Sequence, residues 1–74
     1  VFDGFRFDSE NNLWTSCGKG IACYAPSAEQ IGYIKMPELV SNIDFGGKDG
    51  NTLFITASTS FYMASLSIKG AKFK

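Results

Sequence analysis

Residues 5–15 read FRFDSENNLWT, and residues 43–56 repeat the same kind of stretch as IDFGGKDGNTLFIT. Equivalent positions carry similar apolar side chains, at an offset of 38 residues that becomes 40 after an insertion: Phe7 and Phe45, Leu13 and Leu53, Trp14 and Phe54. A period of about 40 residues made of short strands is the length of one four-stranded propeller blade. The repeat therefore predicts an all-β fold, a partial propeller of two antiparallel β-propeller blades with about seven strands.

Turn residues divide each repeat into strands. We predict strands near 4–8, 12–17, 20–25 and 29–36 in the first blade, and near 41–46, 52–58 and 60–69 in the second. Asp49-Gly50 is a hairpin signal, and Asn11 can play the same part because asparagine tolerates left-handed backbone. Asp8 and Asp44 are expected to cap turns or lie on the outer surface.

Pro37 is expected to end the first blade. The predicted units are then residues 1–37, one complete blade, and residues 38–74, a second blade that lacks its outermost strand. Fewer than three repeats are rarely stable alone, because each repeat buries its apolar faces against neighbours.

Several predicted strands are apolar without alternation, as in Leu13-Trp14, Leu53-Phe54-Ile55 and Phe61-Tyr62-Met63. A strand has this pattern when both of its faces are covered, which stacked blades achieve. The pattern places Trp14 and Phe54 in the core. It also predicts a homo-oligomer, formed through an exposed strand edge at 60–69 or through a blade face. We rank a two-fold, edge-paired dimer, or a tetramer built from it, above a three-chain ring.

Composition excludes several classes of partner. Seven basic and seven acidic residues balance without a run of like charge, so neither nucleic acid nor an anionic membrane is an expected partner. No apolar run approaches the roughly 20 residues of a membrane span. The chain has no histidine, which argues against a zinc site and a catalytic triad.

Cys17 and Cys23 flank a predicted three-residue hairpin loop, Gly18-Lys19-Gly20, in which Cys17 would face Ile21. Cys23 is then diagonal to Cys17 and poorly placed for a disulfide. We expect two reduced, buried thiols in a cytoplasmic protein.

Three stretches of the chain carry a family resemblance: DGFRFD at 3–8 followed by NLW at 12–14, SNIDFGG at 41–47, and KDGNTLFITA at 48–57. They resemble the DG-x-x-x-D…GNLW run, the T/S-N-x-x-F-G-G run and the DG-x-T-L-Y-I-T strand of the gluconolactonase, senescence-marker-protein and luciferin-regenerating-enzyme family. That family is a six-bladed propeller, and this chain resembles its last two blades.

The resemblance implies metal-dependent hydrolysis of sugar lactones, with Ca²⁺, Zn²⁺, Mn²⁺ or Mg²⁺ in the central channel. Asp3 matches the family's channel aspartate, a metal ligand and general base, and Asn42 is a candidate for binding substrate. The family's glutamate and asparagine ligands come from earlier blades, and Phe2 stands where the family has a proline. We therefore expect a lactonase fragment that is inactive as an isolated chain. The alternative is a non-catalytic, self-associating module derived from a truncated lactonase propeller.

Overall fold

The structure, a computed structural model, describes residues 4–73 and contains seven strands. Blade 1 is an antiparallel sheet of β1 to β4 and blade 2 an antiparallel sheet of β5 to β7, each with its strands in sequence order. The strands are β1 (Phe5–Phe7), β2 (Leu13–Ser16), β3 (Gly20–Tyr24), β4 (Gln30–Lys35), β5 (Val40–Gly46), β6 (Thr52–Ala57) and β7 (Phe61–Ser65). The all-β fold with two antiparallel blades is thus confirmed.

The last strand is shorter than the sequence predicts. β7 ends at Ser65 because the chain then turns back toward blade 1. The Lys69 carbonyl accepts a hydrogen bond from the Ser9 N–H at 2.7 Å, and Gly70 forms an isolated antiparallel bridge with Asp8. The C-terminal segment, residues 66–73, therefore joins the two sheets instead of extending one of them.

The β2–β3 hairpin is tighter than predicted. The backbone groups of Cys17 and Gly20 bond to each other at 2.8 and 3.1 Å, which leaves only Gly18 and Lys19 in the turn. Gly18 has a φ of 59°, and a left-handed glycine at the first of two turn residues is typical of a type II′ turn. The predicted three-residue loop is wrong, because Cys17 faces Gly20 instead of Ile21. Both cysteines are free thiols, with Cys23 buried and Cys17 half-buried.

The hydrophobic core lies between the two blades. Its buried members are Ile21, Met36, Val40, Ile43, Phe45, Leu53 and Ile55, with Trp14 and Ile34 packed against them. Trp14 meets Phe45 edge-on, with ring centroids 6.1 Å apart. Phe54 lies on the opposite face of blade 2 and stacks on Phe61, so Trp14 joins this core as predicted and Phe54 does not. Among residues 4–73, no helix is long and apolar enough to cross a membrane.

The linker between the blades is held at both ends. The Met36 N–H donates to the Lys19 carbonyl at 2.8 Å, and the Val40 N–H donates to the Gly18 carbonyl at 2.9 Å. Between them, the Glu38 carboxylate accepts hydrogen bonds from the Thr59 N–H at 2.9 Å and from the Tyr62 hydroxyl at 2.5 Å. The linker thus ties the β2–β3 turn of blade 1 to the β6–β7 hairpin of blade 2.

Acid should loosen this connection. Hydrogen bonds from Tyr62 and Thr59 lower the pKa of Glu38 from 4.5 to about 2. A depressed carboxyl pKa contributes stability above the unfolded-state value, and this stability is lost as the pH falls from about 4.5 toward 2. We expect Glu38→Gln to lower the melting temperature at neutral pH by a few degrees and to flatten its decline in acid. Thermal unfolding across this pH range tests it, with the exposed Glu29→Gln as control; parallel curves for wild type and Glu38→Gln would contradict it.

Candidate functional site

The first element of the candidate site is the start of β1, where Gly4 is fastened to β2. The Gly4 N–H donates to the Ser16 hydroxyl at 2.9 Å, and the Ser16 N–H donates to the Gly4 carbonyl at 2.8 Å. The Thr15 hydroxyl also donates to that carbonyl at 3.3 Å, and both hydroxyl residues are buried. Both backbone groups of Gly4 are therefore bonded to a buried part of the neighbouring strand.

Asn42 lies directly against this glycine, because β1 and β5 are neighbouring strands of the two blades. A Cβ added at Gly4 would sit 2.2 Å from Asn42 Oδ1 and 3.2 Å from Asn42 Cα, so a larger residue at position 4 would displace the Asn42 side chain. The Asn42 side chain is exposed, and its Oδ1 accepts the Ile43 N–H at 2.9 Å. Asp3, the other predicted site residue, precedes Gly4 in the chain and lies outside the described residues. The structure thus brings Asn42 beside the residue that follows Asp3.

A charged cluster follows along the same pair of strands. Asp44 Oδ1 lies 3.1 Å from Arg6 Nε and 3.0 Å from Lys72 Nζ. Partial burial raises the pKa of Asp44, but hydrogen bonds from Lys72 and Arg6 outweigh it and hold the pKa below its ordinary value. Asp44 is thus an ionised residue within β5, so the expectation that it caps a turn is wrong. Its side chain is 46% exposed, which agrees with the alternative expectation of a surface position.

Asp8 directly follows β1 at its C-terminal end and bonds to the β1–β2 turn. Its side chain is 0% exposed, and its carboxylate accepts four hydrogen bonds at 2.8 to 2.9 Å: from the Glu10 and Asn12 N–H groups, the Asn12 amide and Trp14 Nε1. Burial raises the pKa of Asp8, but these bonds outweigh it and lower the pKa below its ordinary value. Asp8 therefore caps the β1–β2 turn, as predicted, and it does so as a buried anion.

Comparison with known proteins identifies the family. The family model described as SMP-30/Gluconolactonase/LRE-like region matches residues 1–59. The chain belongs to this family. A gluconolactonase from Zymomonas mobilis subsp. mobilis is 43% identical over 58 residues, which cover 76% of this chain and 16% of that protein.

A solved structure agrees with this assignment. The X-ray structure of a candidate gluconolactonase superposes with a TM-score of 0.89 at 35% identity, over 93% of this chain and 24% of the other. The chain therefore spans 16% and 24% of the lengths of these two family members.

The described residues do not fit a divalent ion by themselves. Residues 4–73 hold no group of three or more His, Cys, Asp or Glu side chains that could surround a metal. Asn42 Oδ1 is bonded to the Ile43 N–H, and Asp44 is paired with two cations. A hard divalent ion takes about six to eight oxygen ligands. Ligands beyond those of residues 4–73 are needed for the ion that the family resemblance implies.

Sequence reasoning missed two features of the site. The first is Ser16, whose hydroxyl bonds to Gly4; nothing in the pattern of β2 distinguishes it from an ordinary strand serine. The second is the Arg6–Asp44 ion pair, for which the repeat did carry a signal. Arg6 pairs with Trp14 and Asp44 with Phe54 in the strand registers, so the two charges occupy equivalent positions in the two blades.

Proposed function

We propose that this chain forms two blades of a sugar-lactone hydrolase of the SMP-30/Gluconolactonase/LRE-like family and that it does not hydrolyse lactones until further blades complete the channel. The observation that carries the proposal is the contact of Asn42 with Gly4, the residue next to Asp3. It supports a shared site at the start of β1, with Asn42 contacting the substrate. A divalent ion, Ca²⁺, Zn²⁺, Mn²⁺ or Mg²⁺, belongs to this proposal only with ligands from other blades.

Asp3 is proposed as a metal ligand and as the general base. A carboxylate can accept a proton from water only when it is held at a defined distance from the reacting atoms. The two-sided anchoring of Gly4 on buried Ser16 supports such a rigid attachment point.

The test is a comparison of the isolated chain with a graft. We expect the isolated chain to hydrolyse gluconolactone at the uncatalysed rate, with or without added Ca²⁺, Zn²⁺ or Mn²⁺. The same chain replacing the corresponding segment of the Zymomonas mobilis relative should give an active enzyme. In that graft, Asp3→Ala is expected to lower kcat/KM at least about 100-fold, the usual contribution of a general base.

A second site variant and one control accompany the graft. Asn42→Ala should raise KM, whereas Asp49→Ala, an exposed carboxylate in the β5–β6 loop, should leave both constants unchanged. Turnover by the isolated chain that disappears in Asp3→Ala would contradict the proposal. An active graft that keeps its activity without Asp3 would contradict the role of that residue alone.

A second candidate function is that of a non-catalytic, self-associating module. The specific observation is that exposed aromatic and apolar side chains lie on both outward faces of the blades: Phe5, Phe7 and Tyr33 on blade 1, Phe61 and Met63 on blade 2. Exposed apolar patches of this kind usually mark contact with another protein surface.

A further inference from the structure

Each blade has one face packed against the other blade and one face turned away from it. The outward face of blade 1, called here the Phe5 face, carries Phe5, Phe7, Leu13 and Tyr24 around an open cleft of about 380 Å³. The outward face of blade 2, the Phe61 face, carries Asn42, Asp44, Phe54, Phe61 and Met63. Phe5 is 57% exposed and Phe61 is 58% exposed.

The Phe61 face occupies the same register positions as the face of blade 1 that packs on blade 2. In blade 1 the row across the strands is Arg6, Trp14 and Cys23, and in blade 2 it is Asp44, Phe54 and Met63. In the next row on the same face, Ser16 pairs with Ile21 in blade 1 and Thr56 pairs with Phe61 in blade 2. The Phe61 face is thus the repeat of a surface that already packs on a blade.

The Phe5 face repeats the other half of the same junction. Its Phe7–Leu13 pair corresponds to the Phe45–Leu53 pair, which is buried against blade 1. Phe5 corresponds to buried Ile43 in the same way. The two outward faces are therefore the two halves of the junction that the chain forms internally, one half at each end of the molecule.

We propose that a second copy of this chain docks head-to-tail, with its Phe5 face on the Phe61 face of the first. The inference rests on the second candidate function, self-association, and extends it by naming the surfaces. The contact continues the existing junction between blades 1 and 2. It is heterologous, so each copy retains one face for a further copy.

The charges on the innermost strands fit this arrangement. Within the chain, Arg6 of blade 1 reaches Asp44 of blade 2 at 3.1 Å. If blade 2 packs on blade 1 of the second copy as blade 1 packs on blade 2 within the chain, Asp44 comes to lie near the second copy's Arg6. Because the equivalent positions carry opposite charges, every junction of the series pairs unlike charges, whereas like charges would repel.

Head-to-tail contacts close into a ring when the rotation per copy divides a full turn. The six blades that the family resemblance implies correspond to three copies of this two-blade chain. An edge-paired dimer, by contrast, is isologous and leaves both apolar faces exposed. The face-to-face series buries both faces, so this proposal places a closed ring of three above the edge-paired dimer that the sequence pattern alone ranks first.

Three glutamate variants of closely matched exposure test the proposal. Phe5→Glu blocks the Phe5 face and Phe61→Glu blocks the Phe61 face, whereas Leu39, 56% exposed in the linker, lies on neither. The test is the mass measured by sedimentation at tens of micromolar protein, with circular dichroism to show that each variant is folded. Wild type and Leu39→Glu should be three-chain species, and the two face variants should be monomers. An equimolar mixture of Phe5→Glu and Phe61→Glu should give a two-chain species, since one intact face of each kind remains.

A dimer that persists in Phe5→Glu would overturn the head-to-tail mode while leaving self-association intact. A folded wild-type monomer at these concentrations would overturn both. If Phe5→Glu fails to fold, the wild-type chain and Phe61→Glu still test the proposal. A wild-type chain that is a dimer, and that remains a dimer in Phe61→Glu, would overturn it. None of these readouts depends on lactonase activity.

Discussion

Replacing Asp8 by alanine should lower the stability of the chain by about 3 kcal/mol or more, because each buried donor left without a partner costs about 1–3 kcal/mol. Four donors bond to this carboxylate, among them the indole N–H of Trp14 and the backbone N–H groups of Glu10 and Asn12. The side chain is completely buried, so water cannot replace it without opening the β1–β2 turn. Thermal unfolding at fixed protein concentration should show a fall of more than about 10 °C.

Asp49→Ala is the matched control, since Asp49 is an exposed aspartate in the β5–β6 loop. It should change stability by no more than about 0.5 kcal/mol. The lowered pKa of Asp8 adds a pH signature. The stability it contributes is present above the unfolded-state pKa and is lost as the pH falls below it, so Asp8→Asn should flatten the acid limb of the unfolding profile. An Asp8→Ala chain that melts within a few degrees of wild type would show that the turn does not need this anion.

Gly70→Ala should be the second most damaging of the stability changes proposed here, at about 2 kcal/mol or more, within the usual range for forced overpacking. An added Cβ would lie 2.5 Å from Phe45 Cβ and 2.8 Å from Phe45 Cγ. Phe45 is buried and meets Trp14 edge-on, so it cannot move aside without disturbing the contact between the blades. The same displacement would break the bridge between Gly70 and Asp8. Urea unfolding of the variant measures the loss.

Gly20→Ala separates overpacking from the general effect of removing a buried glycine. Its Cβ would meet Tyr33 Oη at 2.0 Å, a shorter distance than at Gly70. The atom met is the far end of an exposed side chain, however, so Tyr33 can swing into solvent. We expect Gly20→Ala to cost less than about 1 kcal/mol, in the range of tolerated core changes. Equal losses in the two variants would mean that the position of Phe45 does not set the cost.

The C-terminal segment could not be placed from its own residues. The run after Met63 continues with residues compatible with a strand, and the predicted strand extends to Lys69. The structure ends β7 at Ser65 because the Lys69 carbonyl and Gly70 have partners in blade 1, at Ser9 and Asp8. Local propensity does not reveal backbone partners that are about 60 positions away in sequence, and such non-local contacts decide where a strand stops.

The candidate site divides in the same way. The family resemblance makes Asp3 a candidate site residue and the position of Asn42 at the start of an inner strand makes it another, and the structure adds that Asn42 packs on Gly4. The repeat shows that Arg6 and Asp44 are opposite charges at equivalent positions. Their contact at 3.1 Å follows from the placement of β1 beside β5, which the sequence does not show.

The sequence by itself determined the all-β class, the two repeats and the turns between most strands. Glycine, asparagine and β-branched residues set local backbone preferences, and the repeat can be read directly from the order of the residues. Which face of each strand is buried was decided by the tertiary structure. Ile21 and Phe61 are equivalent apolar positions in the repeat, yet Ile21 is 0% exposed and Phe61 is 58% exposed. The difference arises because burial depends on the surface that lies opposite a residue, and within residues 4–73 blade 1 has blade 2 in front of Ile21 while the Phe61 face has no blade in front of it.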